Sequence, residues 1–498
     1  MRARLGWLPV LLALALIRGG LYASALPPWG LIDEEQHVDY IHTWLTYGTP
    51  PRLGEAYLSH VIAVSVFETR RWETLFHIPG YASVDPHTWG LEGWSYQGYH
   101  PPLYYALLAP VYALAPDPIL LKVQLLRWAT VGLSLVSVAL LYGLASELLP
   151  SGRAGAALTA LVLISLPERT FAVSRVNNDS LLELCALAFV WVLIRSLAHG
   201  LTRRRAQLLG LLLGLGFLAK TSMLVLAVGL VPLWWLNRRT PAVLGWTAGI
   251  AAGLAGPWVA RNLALYGDFT GFAGFQQLAH FAPRALDAPA LWAAVTQAWT
   301  GTWIVWWVGA DAGWTRGLTV FHGLFLGLAA ASGWGWWRAL QRGTVGRPLV
   351  IPLTLLLIVL TTYGAMLASY VAGQVPVPQG RLILPALGAL LALLVWGWEL
   401  AGRRAVWGGA AVVLLLGIDA NYLFVHLLVE MYYWSGFVYQ PYTPQPWPAA
   451  WALFLERFQH DKPAGWLAVN FGLFSLYAAS LSAAGWWTAR RLWRARRA

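Results

Sequence analysis

The sequence predicts an all-α, polytopic membrane protein that crosses the bilayer about twelve times (11–13). Of its 498 residues, 58% are hydrophobic and 11% are charged, and the mean hydropathy is +0.56. Soluble domains carry about 25% charged residues, so this composition excludes a soluble fold. Apolar stretches of about 18 or more residues recur along the whole chain, each long enough to cross a hydrocarbon core of about 30 Å. The single cysteine, Cys185, lies in an apolar run, which excludes internal disulfides and cysteine-based metal centres.

The positive charge of the chain follows from its topology. The formal net charge is +12, and most of it comes from arginines that form short clusters between apolar runs. Such clusters are typical of cytoplasmic turns, whereas a nucleic-acid-binding surface would need a continuous basic stripe. Nucleic acid is therefore not expected as a partner.

The first apolar run, residues 5–26, is either a retained helix or a cleaved signal peptide. Ala23-Ser24-Ala25 resembles a cleavage site, but Arg18 interrupts the apolar core that a signal peptide needs, which favours a retained helix. Both alternatives place residue 30 outside the cytoplasm.

The segment 102–117 decides the orientation of the rest of the chain. It is short, contains Pro110 and Pro116, and begins with tyrosines. If it crossed the membrane, the triple arginine 203–205 and the basic tail 490–497 would be exported, contrary to the positive-inside rule. We therefore expect an interfacial or re-entrant helix, held at headgroup level by its tyrosines.

With that segment outside the membrane, the arginine clusters all lie on the cytoplasmic side. The spans predicted after the first helix are 125–147, 154–172, 180–198, 206–219, 222–236, 241–259, 317–337, 349–371, 382–400, 405–425 and 466–488. Residues 206–236 then form a hairpin of two short helices, with Lys220 at or near its outer turn.

Three extracytoplasmic segments are too long to be simple connections: 27–124, 260–316 and 426–465. Long loops in compact proteins are usually functional or disordered, and these are rich in Trp, Tyr and His, which argues against disorder. The chain has no Walker loop, GxGxxG turn or HExxH helix. We therefore expect the chemistry at the outer membrane surface, without a nucleotide.

The densest polar motif is Asp33-Glu34-Glu35-Gln36-His37, directly after the first helix. Three adjacent carboxylates repel one another beside low-dielectric lipid, so one of them can have its pKa raised into the range of a general base. In a helix, Asp33 and His37 share one face as residues i and i+4, which suits a base and its partner or a metal site. The alternative is a solvated helix N-terminus whose acids complement the helix dipole.

A second polar motif lies at the outer end of the third span, where Arg169 and Arg175 precede Asn177-Asn178-Asp179. Asp179 is a good helix cap and Asn178 a good turn residue, which gives a structural interpretation. Arginines on the outer side nevertheless break the charge bias, and the binding of an anionic group would explain them.

Three further cations, Lys220, Arg261 and Arg381, each border an apolar run near the outer face. Snorkelling explains any one of them alone. Several cations at one membrane depth favour a phosphate held at the interface, with arginine as a bidentate fork and lysine as a point charge.

These motifs, together with others, occur in a fixed order over residues 1–400. They are Asp33-Glu34 with His37 and Tyr40, Tyr99-His100-Pro101-Pro102-Leu103-Tyr104-Tyr105, Asn177-Asn178-Asp179, Gly214 to Lys220-Thr221, Pro257-Trp258 with Arg261-Asn262 and Tyr266-Gly267-Asp268, and Gln379-Gly380-Arg381 with Pro385. The series resembles the integral-membrane GT-C glycosyltransferases, in the bacterial branch related to protein mannosyltransferases and aminoarabinose transferases.

The resemblance implies a GT-C fold with interfacial helices in the first outer loop, and an inverting sugar transfer from a polyprenyl-phosphate donor outside the cytoplasm. It implies a catalytic carboxylate in that loop, a position that Asp33 matches, with Glu34 as the alternative. Asp179 matches a polar position of the second outer loop, and Lys220 and Arg381 match positions expected to face the donor phosphate. The other candidate substrate-binding residues are His37, His100, Arg175, Asn178 and Arg261.

The resemblance divides the chain into a catalytic module, 1–400, and C-terminal transmembrane helices, 401–498, which contain no family motif. It places the protein in the bacterial inner membrane, among lipids, with an unassigned acceptor that is a lipid, a glycan or a protein. A divalent cation, Mg²⁺ or Mn²⁺, near Asp33, Glu34 and His37 is a further expectation. The competing functions are a transporter or flippase of lipid-linked precursors and a noncatalytic scaffold.

The orientation can be tested by cysteine labelling or reporter fusions in intact cells. We expect residues 152, 200 and 343 to report the cytoplasm, and residues 90, 274 and 444 the outside. Finding residues 90 and 200 on the same side would show that 102–117 crosses the membrane.

Overall fold

The computed structural model describes residues 6–29, 33–54, 58–69, 96–238, 241–278, 319–345, 348–371 and 380–411, and parts of 287–296 and 452–480. Within these ranges the chain forms helices and turns without strands. The helices are α1 (Leu8–Ala25), α2 (Glu34–Tyr47), α3 (His60–Glu68), α4 (Leu103–Leu114), α5 (Ile119–Leu148), α6 (Arg153–Ser165), α7 (Pro167–Val173), α8 (Asp179–His199), α9 (Arg203–Ala219), α10 (Leu230–Leu236), α11 (Pro241–Tyr266), α12 (Phe272–Leu278), α13 (Thr319–Gln341), α14 (Val350–Val371), α15 (Leu384–Ala401) and α16 (Trp466–Tyr477). Three 3-10 helices cover Tyr96–Tyr99, Thr221–Gly229 and Gly380–Ile383.

Six helices of the described part of the chain are long and apolar enough to cross a membrane. They are Leu8–Ala25, Ile119–Leu148, Asp179–His199, Val243–Tyr266, Val350–Val371 and Gly380–Ala401. Shorter apolar helices are Leu103–Leu114, Arg153–Ser165, Thr221–Leu236 and Trp466–Tyr477. The prediction of an all-α, multi-pass membrane protein is confirmed. The number twelve stays a prediction, since much of 405–425 and 466–488 lies outside the described residues.

The predicted span 154–172 is divided in two. Helix α6 ends at Ser165, and α7 begins at Pro167, whose ring disfavours helical backbone at the residue before it. Leu166 accordingly has an extended conformation, with φ −67° and ψ 115°. The predicted break at Lys220 is present: this residue is extended between α9 and the 3-10 helix Thr221–Gly229, which packs back against α9.

Helix α4 covers most of the segment 102–117. Its 12 residues give a length of about 18 Å, less than the hydrocarbon thickness of a bilayer. The expectation that its tyrosines hold it at the headgroups is wrong. Tyr104 and Tyr105 are fully buried, and their hydroxyls contact Thr130 and His37, whereas the large apolar residues that α4 exposes are Leu107 and Leu114. The tyrosines therefore attach α4 to the protein, and its interfacial position stays a prediction.

Two hydrophobic cores hold the described helices together. The larger core lies between the long helices and includes Leu141, Leu193 and Trp398. The second core joins α2, α3 and α4 to the N-terminal ends of α5 and α8, and it includes the fully buried Tyr40 and Leu126. The described helices of the predicted first outer loop are therefore packed onto the long helices and can position side chains.

Helices α13 and α15 approach so closely that only glycine fits at their contact. A Cβ atom at Gly335 would lie 2.0 Å from the Gly397 carbonyl oxygen and 2.6 Å from the Ala401 nitrogen. Because both neighbours are backbone atoms, they can move only if the helices separate. The contact therefore depends on the absence of a side chain at Gly335.

We expect Gly335→Ala to destabilise the protein by about 1–3 kcal/mol, as other overpacked cores do. Gly333→Ala on the same helix is the matched control, because a Cβ atom there meets nothing within 4 Å. Thermal unfolding in detergent would measure both variants. Equal unfolding temperatures for the two would contradict this description of the helix contact.

Candidate active site

Arg127 joins the end of α1 to the start of α2. Its Nη1 donates to the carbonyl oxygens of Ala23 at 3.1 Å and Leu26 at 2.8 Å, and its Nη2 donates to that of Pro27 at 2.7 Å. Its Nε and Nη2 also donate to the Glu34 carboxylate at 2.8 and 2.5 Å. The carbonyls at a helix end lack partners within the helix, and one guanidinium carries five N–H donors. The arginine thus fixes the end of α1 and the residue that directly follows Asp33.

Glu34 has a structural environment. Its side chain is fully buried, and Oε1 also accepts a hydrogen bond from the Val176 backbone at 3.0 Å. Burial alone would raise the pKa of Glu34, but the charge and hydrogen bonds of Arg127 hold it below its ordinary value. Glu34 is therefore an ionised anchor with its oxygens already engaged.

Asp33 lies beside Glu34 but faces a different environment. It has a left-handed backbone, with φ 58° and ψ 31°, which aspartate tolerates better than most residues. Its side chain is 39% exposed, and Oδ2 lies 3.8 Å from Nη2 of Arg381. Of the two candidate bases, Asp33 therefore has the accessible carboxylate with a cation beside it.

A second ion pair joins Lys220, after α9, to Asp179, at the start of α8. Lys220 Nζ donates to Asp179 Oδ1 at 2.6 Å, and the lysine side chain is 17% exposed whereas the aspartate is 2% exposed. The charges of Lys220 and Arg381 both act on Asp179 and on His37, and Asp33 also acts on His37. We refer to Asp33, His37, Asp179, Lys220 and Arg381 as the outer charge cluster.

The two histidines of the site are buried and neutral at pH 7. Burial lowers the pKa of His37 to about 4 and that of His100 well below its ordinary value. His37 Nδ1 lies 2.8 Å from the Tyr105 hydroxyl, and the His37 and His100 rings stack with centroids 6.0 Å apart. The histidines thus line the outer charge cluster without adding positive charge to it.

Arg261 and Arg175 have contacts with residues outside this cluster, and their assignment to substrate stays a prediction. Arg261 Nη2 donates to the Pro51 carbonyl at 2.8 Å, and Nη1 donates to that of Gly98 at 3.3 Å, so that it ties α11 to the first outer loop. Arg175 is buried, with its guanidinium carbon 4.0 Å from the centroid of the Phe171 ring, and its charge acts on Glu34. Both positions suit a structural role.

Asn178 remains at the edge of the outer charge cluster. It is 1% exposed and directly precedes Asp179 at the start of α8. Its side-chain amide has no hydrogen-bond partner among the described residues. Its assignment to substrate stays a prediction.

The described residues fit a divalent cation poorly. Among them, no group of three or more His, Cys, Asp or Glu side chains is placed to hold a metal ion. Arg127 donates hydrogen bonds to both carboxylate oxygens of Glu34, and Arg381 lies 3.8 Å from the carboxylate of Asp33. The expected Mg²⁺ or Mn²⁺ stays a prediction from sequence.

Sequence reasoning missed Arg127. The residue is a lone arginine within the apolar run that forms α5, and a charge in such a run usually marks a pairing or functional site. The sequence therefore marks Arg127 as a residue of interest, but it does not show that its partner is Glu34.

We expect Arg127→Met to destabilise the protein by about 3–5 kcal/mol, because the buried Glu34 carboxylate would lose its counterion. Arg195→Met is the matched control: Arg195 pairs with Glu147, but their side chains are 50% and 36% exposed, and such pairs contribute about 0–1 kcal/mol. Thermal unfolding in detergent measures both. Adding Glu34→Gln to Arg127→Met should restore part of the loss, and equal effects of the two single variants would contradict the assignment.

Comparison with known proteins agrees with this architecture. Residues 99–256 match the sequence model of the family described as dolichyl-phosphate-mannose-protein mannosyltransferase. No curated protein sequence matches the chain significantly.

Two crystal structures of ArnT from Cupriavidus metallidurans, one bound to undecaprenyl phosphate and one in the apo state, share the fold. Each has a TM-score of 0.53 and 14% identity, over 96% of this chain and 77% of theirs. The crystal structure of the Archaeoglobus fulgidus oligosaccharyltransferase in complex with Zn and sulfate has a TM-score of 0.44 and 15% identity, over 86% of this chain and 53% of its own. Residues 99–256 are thus similar to this family of membrane mannosyltransferases, and the chain shares its fold with the ArnT structures.

Proposed function

We propose that the protein transfers a sugar from a polyprenyl-phosphate donor to an acceptor on the extracytoplasmic face of the bacterial inner membrane. The observation that carries this proposal is the outer charge cluster, in which the accessible Asp33 carboxylate lies 3.8 Å from Arg381 and a second cation, Lys220, pairs with Asp179. The family match to dolichyl-phosphate-dependent mannosyltransferases and the undecaprenyl phosphate bound by ArnT support a lipid-phosphate donor. The catalytic module is residues 1–400.

In the proposed reaction, Asp33 removes the proton from an acceptor hydroxyl while its oxygen forms a bond to C1 of the sugar. The bond between C1 and the phosphate oxygen breaks on the opposite face, and its electron pair leaves with the lipid phosphate, so the configuration at C1 inverts. Lys220 and Arg381 stabilise the charge on that phosphate. A paired phosphate is a good leaving group, so one base and a cationic site suffice.

The charge balance of the cluster suits an incoming phosphate. With neutral histidines, the two carboxylates and the two cations cancel, so each cation has a carboxylate partner before donor binds. A phosphate that draws Arg381 away from Asp33 would leave this carboxylate without its cation and therefore more basic. Donor binding would thus prepare the base.

The charges within the bundle favour an enzyme over a transporter. Arg169 pairs with Glu183 at 2.9 Å, and Arg18 donates to Thr170, Tyr477 and the Ser165 carbonyl. Charged residues that line a transport pathway need access to the substrate. These arginines are 1–3% exposed and satisfied by the protein, which suits a structural role.

We expect Asp33→Asn to lower transfer by about 10²- to 10⁴-fold, because the amide keeps the shape of the side chain but cannot accept a proton. The assay supplies undecaprenyl phosphate linked to a labelled hexose or pentose, with envelope extract as the acceptor source, and measures acceptor-dependent release of lipid phosphate. Lys122→Ala, at a lysine that contacts Ala115 and Asp117 instead of the cluster, should keep its activity. Wild-type turnover by Asp33→Asn would exclude Asp33 as the base.

We expect Arg381→Ala and Lys220→Ala to weaken binding of undecaprenyl phosphate itself by about ten- to a hundred-fold, the effect of losing one charge-assisted contact of roughly 1.5–3 kcal/mol. Arg381→Lys should recover only part, because it lacks the planar fork. Asp33→Asn and Lys122→Ala should bind normally in the same detergent titration. Unchanged affinity of both variants for undecaprenyl phosphate would show that Lys220 and Arg381 do not bind the phosphate, and would favour the snorkelling interpretation.

A further inference from the structure

The C-terminal part of the chain contacts α1 through three polar side chains. Lys462 Nζ donates to the Leu26 carbonyl at 2.7 Å, Trp466 Nε1 donates to that of Ser24 at 3.2 Å, and Arg18 Nη1 donates to the Tyr477 hydroxyl at 2.5 Å. Trp466 and Tyr477 are eleven residues apart, so they share one face of α16, at about 100° per residue. This face of α16 therefore lies along α1.

Lys462 shares its acceptor with Arg127. The Leu26 carbonyl oxygen accepts one hydrogen bond from Arg127 Nη1 at 2.8 Å and another from Lys462 Nζ. These two bonds use both lone pairs of the oxygen. Leu26 is the residue that follows the last residue of α1, and Asp33 follows seven residues later. Lys462 therefore acts on the same helix end as the arginine that anchors Glu34.

Burying the Lys462 side chain costs free energy unless its amine forms a hydrogen bond. Lys462 is 8% exposed, and a buried amine without a partner would cost free energy. Burial, together with the charge of Arg127, lowers the pKa of Lys462 well below its ordinary value. A neutral amine still donates hydrogen bonds, so the contact with Leu26 requires a donor and does not require a charge.

We propose that Lys462 is a positioning residue of the active site: it holds the exit of α1 in place, together with Arg127, and so fixes where Asp33 stands. The C-terminal helices, which contain no family motif, thereby contribute to the geometry of a site whose reacting groups lie within residues 1–400. The expected effect of Lys462 on activity rests on the proposed glycosyl transfer. Its expected effect on the order of the chain around Leu26 does not.

The first experiment measures hydrogen–deuterium exchange of peptides covering residues 24–40 in the full-length protein. Lys462→Met removes the donor and keeps a long apolar side chain, so we expect exchange in these peptides to rise several-fold. Lys462→Gln keeps a neutral donor and should exchange nearly as the wild type does. Lys122→Met is the matched control, since Lys122 Nζ also donates to a backbone carbonyl, that of Ala115 at 2.7 Å, away from Leu26.

The second experiment measures turnover per folded enzyme and affinity for undecaprenyl phosphate. We expect Lys462→Met to lower kcat about tenfold with unchanged lipid-phosphate affinity, and Lys462→Gln to recover most of kcat. A purely structural lysine would lower the amount of folded protein without changing kcat, and equal kcat and exchange for the Met and Gln variants would overturn the proposal. If the wild type transfers no sugar, the proposed function fails, while the exchange experiment still decides whether Lys462 positions the turn.

Discussion

The buried ion pair between Arg127 and Glu34 is the interaction on which the outer half of the molecule depends. A single guanidinium binds three carbonyls at the end of α1 and the first residue of α2, and so ties these two helices together. A well-packed apolar pair can be as stable as a buried ion pair, so stability alone does not explain the arrangement. The directional hydrogen bonds of Arg127 fix the position of Glu34. Because Asp33 directly precedes Glu34, its position is fixed as well.

The cations of the site are held in place before any substrate binds. Lys220 contacts Asp179 and Arg381 lies near Asp33, so neither side chain would have to be ordered from solvent to bind the proposed phosphate. Groups that are already oriented stabilise developing charge without reorganisation during the reaction. The buried His37 supports this balance, because its low pKa prevents a third positive charge beside the two cations.

The sequence predicted the fold well, and the site in part. Apolar length and arginine placement predicted helices that the structure confirms, such as α5 and α14, because both signals depend on the bilayer and not on neighbouring helices. The roles of Asp33 and Glu34 could not be separated, since the difference is made by Arg127, about ninety residues away, and not by local pattern. Arg261 satisfied the same outer-cation pattern as Arg381, yet its partners are backbone carbonyls of the first loop.

The type of contact explains why some positioning residues leave no motif. The Arg127 and Glu34 side chains must match each other, so the pair constrains both residue types. Lys462 and Trp466 instead bind the backbone oxygens of Leu26 and Ser24, and every residue of the turn would present such an oxygen whatever its side chain. Any donor of the right reach can make these contacts. A segment without a recognisable motif can therefore still help to position the carboxylate that we propose as the base.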